Sequence, residues 1–394
     1  MKKTLALILA LAMCFALLAG CGGSKEPNKT PGNTQSGNTQ TETNKPDDKV
    51  YTLTVVNHDS ASSLGERWLE GLLNAIAEES NGRLKFNYQA GGSLFGATET
   101  IDAVKDGAAD ICWATTGTYG GIFPVTEFIN VVGNGIDNGQ LASAVLNTMY
   151  KEIPEVANEF KNWHVLALHG TSLSPISTAN KKIETPNDLK GLRLRAAGSI
   201  PTMYVNAIGA TAVALPTSEV YDNLSKNALD GMLNDWHNID CFRLYEPIKY
   251  CLDVGTNMTA SFVLMNQSKY DSLPEDLQAL FVKYFDSGYA ADMAGYYWDS
   301  CRYWVGDLMR ENNVDVYKPS EELNDFLFSD EVLSVVRQGY IDYLNGKGFD
   351  GAALYEKCEE IVKRFAPEYA HVWDNEFNYE DWDTSKVEGY QPKW

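Results

Sequence analysis

From residue 51 onward two hydrophobic periods take turns along the chain, and this alternation limits the fold more than any other feature. Tyr51-Thr-Leu-Thr-Val-Val-Asn57 is β-branched and alternating, which predicts a strand. Trp68, Leu72 and Ile76 then recur at four-residue spacing between Ser62/Ser63 and Ser80-Asn81-Gly82, which predicts a helix with a polar start and a glycine stop. Arg83 to Gln89 reads as a second strand, a short helix carries Ile101 and Val104 to Gly107, and Asp110 to Ala114 reads as a third strand. Strand, helix, strand, helix, strand is the order of a parallel sheet with crossover helices.

The pattern restarts further on. Trp163–His169 and Leu192–Ala196 read as strands, followed by a helix around Thr202–Ile208 and another from Thr217-Ser218-Glu219 to Lys226. Gly231–Asn234 is a short strand and Ala260–Met265 a longer one, so the body holds two α/β units. After Leu273-Pro274, helical periodicity runs from Glu275 to about Glu311 without an internal proline. Such a helix would span roughly 55 Å at ~1.5 Å per residue, enough to bridge two lobes. A returning strand is predicted at Val314–Tyr317, and helices at Asp330–Asn345 and Gly351–Phe365; the tail from Asp374 is given no chemistry.

The first 49 residues read differently. Lys2 and Lys3 precede an unbroken apolar run from Leu5 to Leu18, too short to span a bilayer and suited to a signal-peptide core. The run ends in Leu18-Ala-Gly-Cys21, which resembles a bacterial lipobox and predicts acylation of Cys21. Residues 22–49 hold no apolar side chain and predict a disordered tether, with a reach of roughly 90 Å at ~3.3 Å per residue. With Cys14 removed and Cys21 acylated, Cys112, Cys241, Cys251, Cys301 and Cys358 remain, an odd set without a C-x-x-C pair. Buried thiols are expected, with a Cys241–Cys251 bridge left open.

Charge narrows the partners. Acidic side chains outnumber basic ones 53 to 32, for a formal net charge of −21, which disfavours nucleic acid and anionic lipid headgroups. One small anion in one local basic pocket is still compatible with that balance. Enzyme signatures are missing: the five histidines form no H-E-x-x-H, there is no P-loop or G-x-S-x-G, and Gly133-Asn-Gly135 lacks the third glycine of a dinucleotide turn. No cofactor, metal or catalytic residue is expected.

Several segments in order carry a resemblance. Tyr88-Gln-Ala-Gly-Gly-Ser-Leu-Phe-Gly96, Glu99 and Ala103-Val-Lys-Asp-Gly-Ala-Ala-Asp110 come first, then Thr185-Pro-Asn-Asp-Leu-Lys-Gly-Leu-Arg-Leu-Arg195. Gly209-Ala210, Pro216-Thr-Ser-Glu-Val-Tyr221, Asn227-Ala-Leu-Asp-Gly231 with Asn234, Tyr245-Glu246, Lys249-Tyr250 and Leu273-Pro-Glu-Asp-Leu-Gln278 follow. Over residues 50–320 the chain resembles the solute-binding proteins of TRAP (tripartite ATP-independent periplasmic) transporters, the dicarboxylate-binding (DctP-like) family, here in lipoprotein form. The resemblance implies a two-lobed periplasmic-binding fold with a ligand cleft between the lobes.

It also assigns Arg195 the grip on a ligand carboxylate. A guanidinium suits that task because its planar fork matches a carboxylate in parallel charge-assisted hydrogen bonds. Period-2 alternation puts Arg193 on the same face, so spacing alone does not choose between them. Asn234 matches a ligand hydrogen-bonding position, or caps the helix that follows. Asn57 with His58 after the first strand, and Trp113 with Thr115 at the end of the third, are where the other lobe should meet ligand. Trp236 and His237 either reach the cleft or pack between the lobes, and Thr217 and Gly198 complete the carried-over set. Many relatives have a second basic residue where this chain reads Gly170-Thr-Ser-Leu-Ser-Pro-Ile176, and its absence favours a monocarboxylate with an apolar or aromatic body.

The expected organisation is a signal peptide at 1–21, a tether at 22–49, lobe I at 50–172 plus 261–300 and lobe II at 173–260 plus 301–394. The expected function is capture of a small organic acid outside the cell and its delivery to the membrane subunits of a TRAP permease. The protein would sit on the outer face of the cytoplasmic membrane or in the periplasm, touching membrane through its lipid alone. A two-lobed α/β hydrolase and a sensory lipoprotein without a transport role remain open as alternatives.

Overall fold

A computed structural model describes residues 49–370 together with Val387, Tyr390 and Trp394. The signal peptide, Cys21, the tether, and most of the tail from Asp374 lie outside the described residues. Eleven strands follow in chain order: β1 Tyr51–Val56, β2 Leu84–Gln89, β3 Ile111–Thr115, β4 His164–Gly170, β5 Ile176–Thr178 and β6 Arg193–Ala196. Then come β7 Thr211–Ala214, β8 Gly231–Leu233, β9 Tyr250–Leu252, β10 Ala260–Met265 and β11 Asp315–Tyr317.

The strands form two sheets, the two α/β units anticipated from the alternation and the two-lobed plan that the resemblance implies. The first has the order β2-β1-β3-β10-β4, with β2, β1 and β3 parallel and β10 antiparallel to both neighbours. The second runs β11-β9-β5-β8-β6-β7, with β8, β6 and β7 parallel. Both parallel sets come from strand–helix–strand units, as crossover connections require. β10 is buried at every position, which explains its sequence Ala-Ser-Phe-Val-Leu-Met, apolar but for Ser261.

The chain passes from one sheet to the other between β4 and β5 and returns between β9 and β10. These two passages lie side by side. Thr171 N donates to Thr259 O at 3.0 Å, Ser174 N to Asn257 O at 2.9 Å, and Thr256 N to Ser174 O at 2.8 Å. The connection is therefore a short hydrogen-bonded ribbon, suited to bending as a unit.

A third connection is helical and corrects the expectation of one continuous helix. Glu275–Phe281 is α-helical, Val282–Asp286 widens into a π turn, and the chain breaks at Gly288 with φ +83°. Glycine adopts that left-handed conformation without steric cost, so a new helix starts at Tyr289. It runs to Glu311, about 35 Å. This helix packs against Leu64–Glu79, Gly139–Glu152 and β4 on one side and against Trp236–Cys241 and β11 on the other, so it bridges both sheets. Its crossing with Gly139–Glu152 is close: a Cβ at Gly295 would lie 2.4 Å from the Gly139 carbonyl. Gly139 N donates to Asp299 Oδ2 at 2.6 Å at the same crossing.

One apolar cluster joins Phe262 and Leu264 of the first sheet to Leu194 and Tyr204 beside the second. The helix Gly351–Tyr369, placed in lobe II by the sequence reading, packs on Gly139–Glu152. All five described cysteines are free, so the Cys241–Cys251 bridge left open from the sequence is not formed. Among the described residues no helix is long and apolar enough to cross a membrane.

Candidate functional site

Between the sheets lies a cavity of about 530 Å³, walled by the ends of β1, β3, β6 and β8, the two connecting passages and the glycine-rich loop after β2. Its organising residue comes from β6, where Arg193 and Arg195 share a face but have different fates. Arg193 forks onto Asp230, with Nε to Oδ2 at 2.9 Å and Nη2 to Oδ1 at 2.9 Å, at the exposed start of the strand. Two residues on, Arg195 is 4% exposed and lines the cavity.

The protein holds that guanidinium with neutral acceptors. Arg195 Nε donates to Leu215 O at 3.1 Å, Nη1 to Leu233 O at 3.3 Å and to Asn234 Oδ1 at 3.0 Å, and Nη2 to Thr217 Oγ1 at 2.9 Å. Among the described residues no carboxylate lies within 4 Å of it. Burial pulls its pKa down to about 10, an effect that nearby Asp235 partly opposes. The group therefore remains cationic at neutral pH. A buried charge lacking a counter-ion is costly unless an anion arrives.

Asn234 follows β8, and its amide orientation is set by Arg195: only oxygen can face an Nη1 donor. The amide nitrogen is then left without a partner. Gly198, with φ +83°, precedes the helix Ser199–Ala207, whose N-terminus has no side-chain cap and borders the cavity. Its unpaired N–H groups add positive potential there. From the first sheet, His58 and Thr115 line the opposite wall, and Thr115 Oγ1 lies 3.3 Å from Thr118 Oγ1.

The structure thus brings together Arg195, Asn234, Thr217, Gly198, His58 and Thr115. Four other sequence candidates do not line the cavity. Asn57 turns inward, donating from Nδ2 to Glu66 Oε2 at 2.6 Å and accepting from Asp59 N at 3.0 Å. Trp113 is buried behind the wall, its indole donating to His169 Nε2 at 2.9 Å and stacking on Trp298 at 5.8 Å. Trp236 packs beside Gly306 of the bridging helix and borders a separate groove with Asp253 and Arg302. His237 likewise packs inside, 5.1 Å from the Trp298 ring.

The sequence reading missed Thr98, Thr171, Ser174, Ser218, Asn257 and Thr259 as lining residues, along with Phe242. The loop Gly91-Gly92 was visible only as a family segment. Its glycines have φ +68° and +65° and bring backbone to the cavity edge. Polar side chains on connecting passages carry no periodic signal, so nothing in the pattern marked them.

A cavity between two sheets joined by a paired-strand ribbon and a bridging helix defines the class of two-lobed binding proteins. Residues 56–322 match the model for bacterial extracellular solute-binding protein, family 7, and the chain belongs to that family. It is similar to the 2,3-diketo-L-gulonate-binding periplasmic protein of Escherichia coli K12, at 23% identity over 73% of this chain and 84% of that protein. Among solved structures it is similar to a marine metagenome TRAP solute-binding protein specific for aromatic acids, in complex with 3-hydroxybenzoate. That likeness has a TM-score of 0.75 and 24% identity, covering 80% of this chain and 99% of the other. A TRAP solute-binding protein from Rhodoferax ferrireducens T118 in complex with benzoate matches with a TM-score of 0.74 and 23% identity, over 81% and 99%. The family is one of solute-binding transport components, and the hydrolase and sensory readings find no support.

Proposed function

We propose that this chain captures a small organic monocarboxylate with an apolar or aromatic body in the cavity and hands it to a TRAP permease. The observation that carries this is Arg195, a buried cation lining the cavity with hydrogen bonds to neutral groups and no paired carboxylate. A ligand carboxylate would take its remaining Nη2 proton, the Asn234 amide and the Thr217 hydroxyl. No bond chemistry is assigned to the protein, and uptake would draw on an ion gradient through the permease.

Two further features support the monocarboxylate. Of the described residues lining the cavity, Arg195 is the single Arg or Lys; Thr171 and Ser174 stand in the passage where many relatives have a second base. Phe242, Leu215, Leu233 and Ala97 offer apolar surface for the rest of the ligand. The relatives holding 3-hydroxybenzoate and benzoate fit the same description.

A thermal-shift screen of organic acids tests the reading, since a ligand that binds only the folded state raises its melting temperature. Aromatic and keto monoacids should give the largest shifts. Tightest binding by malate or succinate would overturn the monocarboxylate assignment. Lipid anchorage at Cys21, with lobes meeting near residues 172/173, 260/261 and 300/301, completes the proposal.

A further inference from the structure

Behind the His58 wall of the cavity lies a second cluster of donors that capture of an organic acid does not use. Asp59, His237 and Cys241 each place one ligating atom within 4.8 Å of the others. We propose that these three residues form a binding site for a thiophilic divalent cation of the zinc class, contrary to the sequence expectation of no metal.

The Asp59 carboxylate carries the inference. It is wholly buried, and neither oxygen has a hydrogen-bond partner. Two imidazole nitrogens stand beside it, His237 Nε2 at 3.6 Å from Oδ2 and His58 Nε2 at 3.6 Å from Oδ1. An ionised carboxylate in that position is costly unless a cation meets it. His237 is buried too, and its Nε2 accepts a long 3.3 Å bond from the Gly65 amide. Nε2 is therefore the unprotonated nitrogen, and a bound ion would take the lone pair that now accepts the Gly65 bond.

The donor set selects the ion. Carboxylate, imidazole and thiolate together suit a tetrahedral zinc-class ion and not magnesium or calcium, which take oxygen ligands. Donors on one such ion sit roughly 3.3–3.7 Å apart, given bonds of about 2.0–2.3 Å. The His237–Asp59 separation of 3.6 Å already meets that spacing. Cys241 Sγ, 3.9 Å from Ser60 Oγ, closes on the same point by about 1 Å at most. Asp59 follows β1 of one sheet, and His237 and Cys241 lie on the helix Trp236–Cys241 that follows β8 of the other. A bound ion would therefore tie the two sheets together beside the cavity.

The test is titration of the full-length, detergent-purified protein, stripped by chelator, with cobalt(II) as a spectroscopic stand-in for zinc. The expected result is one ion per chain, with tetrahedral visible bands and a thiolate-to-cobalt charge-transfer band that zinc abolishes. Cys241→Ser should remove the charge-transfer band, His237→Gln should weaken affinity at least tenfold, and Cys358→Ser should change nothing. Absence of the band in the native protein, or its survival in Cys241→Ser, overturns the proposal. Should Cys241→Ser fail to fold, Asp59→Asn decides: cobalt affinity equal to that of the native protein overturns the site.

Discussion

Arg195 Nη1 donates to Asn234 Oδ1 at 3.0 Å across the floor of the cavity, and this one bond fixes what both residues can offer a ligand. Three more of its five N–H groups go to Leu215 O, Leu233 O and Thr217, all uncharged acceptors, which leaves one Nη2 proton for a ligand. The asparagine keeps its amide donors unpaired. The pair is therefore built around charge and donors, with no acceptor turned to the ligand, as capture of an anion demands.

Removing the partner should weaken binding without abolishing it. Asn234→Ala takes away the amide donor and frees one Nη1 proton, so we expect a loss of roughly 10–100-fold, the worth of a hydrogen bond to a charged group. Arg193→Ala should leave affinity unchanged, because Arg193 is occupied by Asp230 outside the cavity. Calorimetry on both variants with the tightest acid from the screen checks the pair. An equal loss in Arg193→Ala would mean that the wrong arginine has been assigned.

Binding should depend on pH in a way that ordinary arginines do not allow. Burial lowers the Arg195 pKa to about 10, so its charge is intact at neutral pH and fades as pH rises through that value. Affinity for a carboxylic acid should be flat from about pH 6 to pH 9 and fall up to tenfold per pH unit above pH 10. Fluorescence or calorimetric titrations in that range provide the check; a flat profile to pH 11 contradicts it.

Stability should move the other way from that of a protein held by ionised carboxylates. Glu66, buried beside Asn57, and Glu127, buried under Tyr343, both have pKa values pushed up to about 7 by burial. Their folded forms retain protons that the unfolded chain gives up near pH 4.5, so stability falls as pH rises from there to 7. Melting temperature should thus be higher at pH 5.5 than at pH 8, and Glu66→Gln, which keeps the acceptor for Asn57, should reduce that difference. Calorimetric scans of both proteins across that range check it; a native melting temperature that rises from pH 5.5 to pH 8 would contradict it.

The bridging helix should be sensitive at Gly295. An added methyl would meet the Gly139 backbone at 2.4 Å, and neither partner can move aside without opening the crossing. We expect Gly295→Ala to cost about 1–3 kcal/mol in chemical denaturation, the usual range for overpacking. Gly346→Ala, with open space around it, serves as the control.

Legibility followed periodicity. β10 was read residue for residue because its six consecutive positions, apolar but for Ser261, are buried on both faces. β5 and β9, at three residues each, went unread, whereas β8 and β11, equally short, were read. The helix Gly139–Glu152 escaped notice because nearly all of its first half, Leu141 to Leu146, is buried, so it has no polar stripe. Gly288 gave the one local warning against a continuous helix from Glu275, and the absence of proline hid it. At the site, alternation could not separate Arg193 from Arg195, since the difference lies in Asp230 arriving from a distant turn. Asn57 just beyond β1 and Trp113 at the centre of β3 both face inward, where side-chain direction depends on tertiary packing beyond the strand's own pattern.

Everything proposed for the cavity depends on Arg195 holding an organic carboxylate there. Calorimetric titration of the native protein and of Arg195→Ala with aromatic monocarboxylic acids tests this most directly. Saturable one-to-one binding by the native protein is expected, with a loss of at least 100-fold in the variant, provided the variant still folds by circular dichroism. Unchanged affinity in a folded Arg195→Ala would contradict it.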